Sequence, residues 1–220
     1  MLTSSRAVWG AVALVAVVSF VAPGAAPVRA AAPATDAAVT AGDPAAFIND
    51  VASRAIALLQ NASLAPAERE MRLRELARQS FDTEGITRFL AGRPWKDASE
   101  EERRAFGPLL EDYVLRVYAS RVGVMEKAPR LTIKAVRQEG AASTVASEFV
   151  RPEGGPPARV DWRVVKKAEG WRIADVSVDG ISLAMTQRDE FAAVMQRNGG
   201  GLNGLMQVIR QRIAEANAGK

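Results

Sequence analysis

The sequence predicts an α+β domain in which a four-stranded antiparallel meander carries helices packed on one face. Three observations predict it. Apolar residues recur at helical spacing from Asp43 to Tyr118, alternate at a spacing of two from Leu131 to Val178, and return to helical spacing from Thr186 to Ile213.

The first helix starts at Asp43-Pro44, with Asp as the capping residue and Pro where no amide hydrogen is needed. Phe47, Val51, Ala55, Leu58 and Leu59 form its stripe. Pro66 opens a second helix, with Leu73, Leu76 and Ala77 on one face. A third follows Asp82 and carries Ile86, Phe89 and Leu90 as far as Gly92-Arg93-Pro94. Ser99 with Glu102 forms a capping box. Behind it Phe106, Leu109, Leu110, Tyr113, Val114, Val117 and Tyr118 make the longest apolar stripe of the chain.

Three strands then show clean alternation. Leu131, Ile133 and Ala135 make one inward set, Val145, Ser147 and Phe149 a second, and Val160, Trp162 and Val164 a third. Gly140, Gly154-Gly155-Pro156-Pro157 and Gly170 mark the turns. In the fourth strand Trp171 and Ile173 lie on one phase, but Val176 and Val178 lie on the other. A β-bulge near Ala174-Asp175 accounts for the change of register. Thr186 with Asp189 resembles a capping box, which would put Gln187 to Glu190 in an exposed first turn. Phe191, Val194 and Met195 follow, and Asn198-Gly199-Gly200-Gly201 ends that helix. Leu202, Leu205, Met206, Ile209 and Ile213 make the last one. The glycine run lacks the Gly-Lys-Ser/Thr ending of a phosphate-binding loop and reads as a helix stop.

Residues 1–30 read as a cleavable export signal: Arg6, the apolar run Ala7 to Val21, then Val28-Arg29-Ala30 with small residues at −3 and −1. The run is shorter than the ~20 residues a membrane span requires. Residues 31–42, rich in Ala, Pro and Thr, read as a disordered leader, and 43–216 as a single domain. The chain is expected to be exported.

Composition excludes much. There is no cysteine, so an exported chain must hold together by packing alone. There is no histidine, which removes the commonest general base and zinc ligand. Removing Arg6 and Arg29 with the signal brings the net charge from +4 down to +2, and the remaining basic residues are mixed with acids. Nucleic-acid binding is not indicated.

Four segments carry a family resemblance: FDTEGITRFLAGRPW (Phe81 to Trp95), EDYVLRVYASR (Glu111 to Arg121), VDWRV (Val160 to Val164) and DVSVDGISLAMTQRDEFAAVMQRNGG (Asp175 to Gly200). The chain resembles the MlaC, or toluene-tolerance, family of periplasmic phospholipid-binding proteins, and its last segment is similar to a hopanoid-associated branch. The resemblance implies an NTF2-like, cystatin-like α+β fold with a deep apolar pocket between sheet and helices. It implies a shuttle for phospholipid or a hopanoid-like lipid, working with an inner-membrane ABC permease that bears lipid-binding domains and with an outer-membrane lipoprotein complex. No cofactor and no covalent chemistry are implied, and a monomer is expected.

The lining expected on that resemblance comprises Leu110, Tyr113, Val114, Val117 and Tyr118 from the long helix. To these it adds Leu131, Ile133, Val145, Phe149, Val160, Trp162 and Val164 from the strands, Ile181, Leu183 and Met185 from the connection, and Phe191 and Met195 beyond. Each would look the same as plain core. Arg121 and Arg188, with Arg88, Arg93 and Arg151 behind them, are candidates for a rim facing a head-group phosphate. An enzyme on a similar scaffold would need a buried Asp and Tyr together, and Asp175 at the suspected bulge, near Tyr113 or Tyr118, is its candidate. A structural envelope protein with a solid core is the third alternative.

Overall fold

A computed structural model describes residues 42–119, 129–150 and 155–218, with backbone alone for 115–119. The expected signal and all but the last residue of the leader lie outside the described residues, as do Arg121 and Arg151 and the side chains of Val117 and Tyr118.

Among the described residues five helices precede the sheet: α1 (Pro44–Gln60), α2 (Pro66–Ser80), α3 (Thr83–Ala91), the single turn α4 (Pro94–Asp97) and α5 (Glu100–Ala119). Their starts follow from local chemistry. Asp43 accepts from the Ala45 amide and Asp82 from the Gly85 amide, each at 3.1 Å. Ser99 and Glu102 exchange the two bonds of a capping box, at 2.8 and 3.1 Å. No side chain caps α2. Instead Arg69, only 8% exposed, donates to the carbonyls of Asn61 and Leu64 and so closes the turn out of α1.

The sheet is an antiparallel meander in the order β1 (Arg130–Glu139), β2 (Ala142–Val150), β3 (Ala158–Lys167), β4 (Gly170–Val178), β5 (Ile181–Ser182). It has five strands where alternation predicts four. The fifth is two residues long, too short to alternate, and is delivered by the Asp179-Gly180 turn, both of whose residues have positive φ. The bulge in β4 is where the phase change places it: Arg163 pairs with Asp175 and Val164 with Ile173, leaving Ala174 over. A second register shift leaves Lys134 unpaired in β1 and sets Ala135 opposite Ala146, on the other phase from Val145 and Ser147, so the expected inward set ends at Ile133.

Helix α6 (Leu183–Arg197) starts three residues before the predicted Thr186. Ser182 caps it by accepting from the Met185 amide at 3.0 Å, while the Thr186 hydroxyl turns back to the Ser182 carbonyl. Gln187 is therefore 2% exposed and lies inside, not in an exposed first turn. The reason is tertiary. Asp175, from β4, accepts from the Ser182 hydroxyl at 2.6 Å and the Ala184 amide at 3.1 Å, and a cap supplied by another element leaves no local pattern. The helix stops where expected, with Gly200 in the left-handed region donating to the Met195 carbonyl at 2.7 Å. The last helix, α7 (Leu202–Ala218), lies along α5. Gly204 admits no side chain, because a Cβ there would run into the Asn198 carbonyl oxygen.

Two apolar clusters result. In the first, α1 packs on the inward face of the sheet, joining Ile48, Val51 and Ala52 to Val145, Phe149, Val160, Trp162, Val164 and Ile173. The Trp162 indole donates to the Ser147 hydroxyl at 2.9 Å, and Ser147 donates to the Val160 carbonyl at 2.8 Å, so no polar atom of this pair is stranded. The second cluster joins Leu90, Phe106, Leu110 and Tyr113 to residues of α6 and α7 such as Phe191, Leu205 and Ile209.

Candidate functional site

Between the two clusters lies a cavity of about 470 Å³. Residues of both line it: Val51, Ala55, Leu76, Trp162 and Val176 from the first, Leu90 and Leu110 from the second. The void has a cause in side-chain size. Ala55, Ala77, Gly107, Ala174 and Ala184 all line it, at positions where a larger side chain would close the gap. The bulge contributes as well, since it turns Ala174 and Asp175 toward the cavity.

One face of α5 forms a wall. Arg103, Gly107, Leu110 and Val114 follow one another at steps of three and four residues, with Glu111 beside them four residues after Gly107. Opposite stand Leu73, Ala77 and Arg78 of α2, and Ile86 and Thr87 of α3 complete the ring. Charge is confined to a few positions. Arg78 lies 3.0 Å from the Glu111 carboxylate and ties α2 to α5, with Arg74 at 3.5 Å from the same group. The bond to Glu111 and its negative charge hold the Arg78 guanidinium protonated, above its ordinary value. Glu84 pairs with Arg88 on α3. Arg103 donates to the carbonyls of Trp95 at 2.9 Å and Lys96 at 2.8 Å. Among the described residues no group of three or more acidic side chains could hold a metal ion.

Of the residues expected from sequence, Leu110, Val114, Trp162 and Leu183 line this cavity. The rest of the expected lining whose side chains are described stands elsewhere; those of Val117 and Tyr118 lie outside the described residues. Val145, Phe149, Val160 and Val164 are at most 1% exposed, closed off against α1, and Leu131 and Ile133 pack at the edge of that same core. Phe191 and Met195 belong to the packing of α6 on α5 and α7. Tyr113 lies with them, 6.2 Å from the Phe191 ring, and its hydroxyl accepts from Arg212 at 3.1 Å, so it does not reach the cavity mouth. Ile181 and Met185 are 60% and 49% exposed. Arg188 stacks over Phe89 at 4.7 Å, and like Arg93 it is not among the lining residues.

The physical reason is that the long stripe of α5 is two faces. Leu110 and Val114 turn to the cavity, whereas Phe106 and Tyr113 turn to α6 and α7. The sheet supplies only a corner, and α1, α2, α3 and α5 together supply most of the wall. Val51, Ala55, Leu59, Leu73 and Ala77 were legible as helical stripes, and the alanines among them were the available signal for open space. Arg103 had no signal at all.

A family model described as MlaC protein matches residues 49–211. The chain belongs to the MlaC family. A solved structure of a phospholipid-binding protein from Ralstonia solanacearum, in complex with a phospholipid, superposes with a TM-score of 0.67 at 23% identity, covering 78% of this chain and 97% of that one. At that identity the likeness is one of fold. This MlaC-family chain therefore shares its α+β architecture with that protein, meander and helices included. The cavity lies inside the stretch that the family model matches.

Proposed function

We propose that this MlaC-family chain is a lipid carrier, holding the acyl chains of a phospholipid or hopanoid-like lipid in the cavity between its two apolar clusters. The observation that carries the reading is the cavity itself. A folded core closes such gaps, because an empty apolar void forfeits packing on every side. Five small residues converging on one space of about 470 Å³ are the arrangement of a site built to be filled. The demand is large. At ~0.8 kcal/mol per methylene, two chains of about sixteen carbons carry roughly 25 kcal/mol of exposure to water. Leu73, Leu90, Leu110 and Val114 offer flexible aliphatic walls suited to chains of differing shape.

The enzyme alternative required Asp175 beside a tyrosine in the cavity. Asp175 does line it, but its carboxylate accepts from the Val176 amide, the Ser182 hydroxyl and the Ala184 amide, and acts as the cap of α6. Tyr113 bonds Arg212 on the far side of α5. Asp175 and Tyr113 therefore do not form the pair that the chemistry needs, and the side chain of the other candidate, Tyr118, lies outside the described residues.

The carrier reading extends to its setting. After export to the periplasm and removal of residues 1–30, the domain carries lipid between the inner membrane and the outer membrane. It does so as the soluble component of an ABC-type system, receiving from or delivering to a permease complex on one side and a lipoprotein complex on the other. Among the described residues no helix is long and apolar enough to cross a membrane. Native mass spectrometry of protein purified from a bacterial periplasm tests the reading. The mature mass with a fragmentable lipid is expected. An apo mass that persists after incubation with lipid vesicles would overturn it.

A further inference from the structure

Most of the charged residues bordering the cavity have partners of opposite sign. Arg78 pairs with Glu111, and Glu84 with Arg88, which leaves little net charge to meet a ligand. Arg103 differs. Its Nε and one Nη2 hydrogen are taken by the Trp95 and Lys96 carbonyls, neutral groups that fix its direction without cancelling its charge. Its guanidinium also lies 6.0 Å from the Trp95 ring centre, which limits its swing further. None of the described carboxylates pairs with it. A guanidinium has five N–H groups, so those on Nη1 remain to meet an acceptor.

The space beside it is open. Gly107 lies one helical turn further on the same face of α5, and a Cβ placed there would meet nothing within 4 Å. Arg103, Gly107 and Trp95 all line the cavity, so together they form a corner with a held cation, an aromatic wall and room for a group of several atoms. Phosphate suits that corner best. It is an anion that accepts two parallel N–H bonds, and it sits where polar head and apolar chains of one ligand must separate.

We infer that Arg103, over the space left by Gly107, anchors the phosphate of the lipid head group. The inference rests on the carrier reading above and deepens it: the ligand class is a phosphate-bearing lipid, and Arg103 selects it over a neutral lipid with the same chains. Because the anchor is oriented by backbone carbonyls, lysine replaces it only in part. An ammonium on a flexible stem cannot keep both carbonyl bonds and present a second pair of donors.

The test compares wild type, Arg103→Gln, Arg103→Lys and Gly107→Leu. Each is stripped of lipid and then exposed separately to detergent-dispersed dioleoyl phosphatidylglycerol or dioleoylglycerol, with bound lipid counted by native mass spectrometry. A parallel arm follows the phosphorus resonance of inorganic phosphate. Arg103→Gln should lose phosphatidylglycerol by about tenfold to a hundredfold while retaining dioleoylglycerol, with Arg103→Lys between it and wild type. A Cβ at Gly107 meets nothing within 4 Å, so Gly107→Leu extends into the open space and should lose phosphatidylglycerol in a folded protein, which keeps the test sharp if the Arg103 variants unfold. Equal loss of both lipids in Arg103→Gln, or wild-type uptake in Gly107→Leu, overturns the anchor while leaving the carrier intact. Phosphate binding that depends on Arg103 alongside lipid uptake that does not would assign the corner to a free anion and overturn the head-group role. A wild type that takes up neither lipid overturns the carrier reading, and the anchor with it.

Discussion

Replacing Ala77 by Phe should empty the cavity of lipid without harming the fold. Ala77 lies on α2 and lines the cavity opposite α5, so the added ring enters space that is already void. A phenyl group displaces about four methylenes of acyl chain, and at ~0.8 kcal/mol each the bound state loses about 3 kcal/mol. That is roughly a two-hundredfold weaker complex. The lipid-free protein moves the other way, because the ring exchanges water for an apolar wall, and its melting temperature should hold or rise. Competition between the variant and wild type for one limiting pool of phospholipid, read by native mass spectrometry, measures the first effect. Thermal unfolding of lipid-free protein measures the second. A variant of unchanged or raised melting temperature that competes on equal terms would show that acyl chains are held elsewhere. Val164→Trp is the contrasting control. Val164 is 0% exposed in the closed core against α1, so a larger ring there overpacks the sheet and should destabilise the protein instead.

Three further outcomes follow from the same geometry. Ser147→Ala leaves the buried Trp162 indole hydrogen without its acceptor, which should cost about 1–3 kcal/mol in urea denaturation; an unchanged midpoint would mean that water or a neighbour replaces the hydroxyl. Gly204→Ala, ordinarily favourable in a helix, should lower stability here because the new methyl meets the Asn198 carbonyl oxygen, and a raised melting temperature would show that the α6–α7 turn yields freely. Glu190 titrates above the ordinary glutamate range, chiefly because burial penalises its charge, with Arg212 and Gln187 opposing that shift. A folded-state value above the unfolded one means that the folded protein holds the proton more tightly. Stability is therefore fully present below the unfolded value and is lost as pH rises through the folded one. Glu190→Gln should accordingly raise stability at neutral pH and make little difference in acid, and a variant less stable than wild type at neutral pH would reverse this account.

Local chemistry decided a good deal of this molecule. The starts of α1, α3 and α5 follow from side chains a few residues apart, whose hydrogen bonds form wherever the chain goes, and the glycine stop after α6 and the phase change at Ala174 are equally plain in the sequence. The alternation of β2 and β3 likewise settled which of their sides faces inward, since a period of two leaves no other choice. The family was legible in the segments around Phe81, Val160 and Asp175, and the match over residues 49–211 agrees.

What sequence alone could not decide was which apolar residues face protein and which face empty space. Val160 and Trp162 lie two residues apart on one strand face with the same alternation, yet the first is sealed against core and only the second borders the cavity. Periodicity reports that a side chain turns away from water. It says nothing about what stands opposite, and that depends on how α2, α3 and α5 are held apart from the sheet. The cap of α6 by Asp175 and the held, unpaired charge of Arg103 escaped for the same reason, since each joins elements that are separate in the chain. Their energies arise from groups that meet only once the tertiary structure has formed.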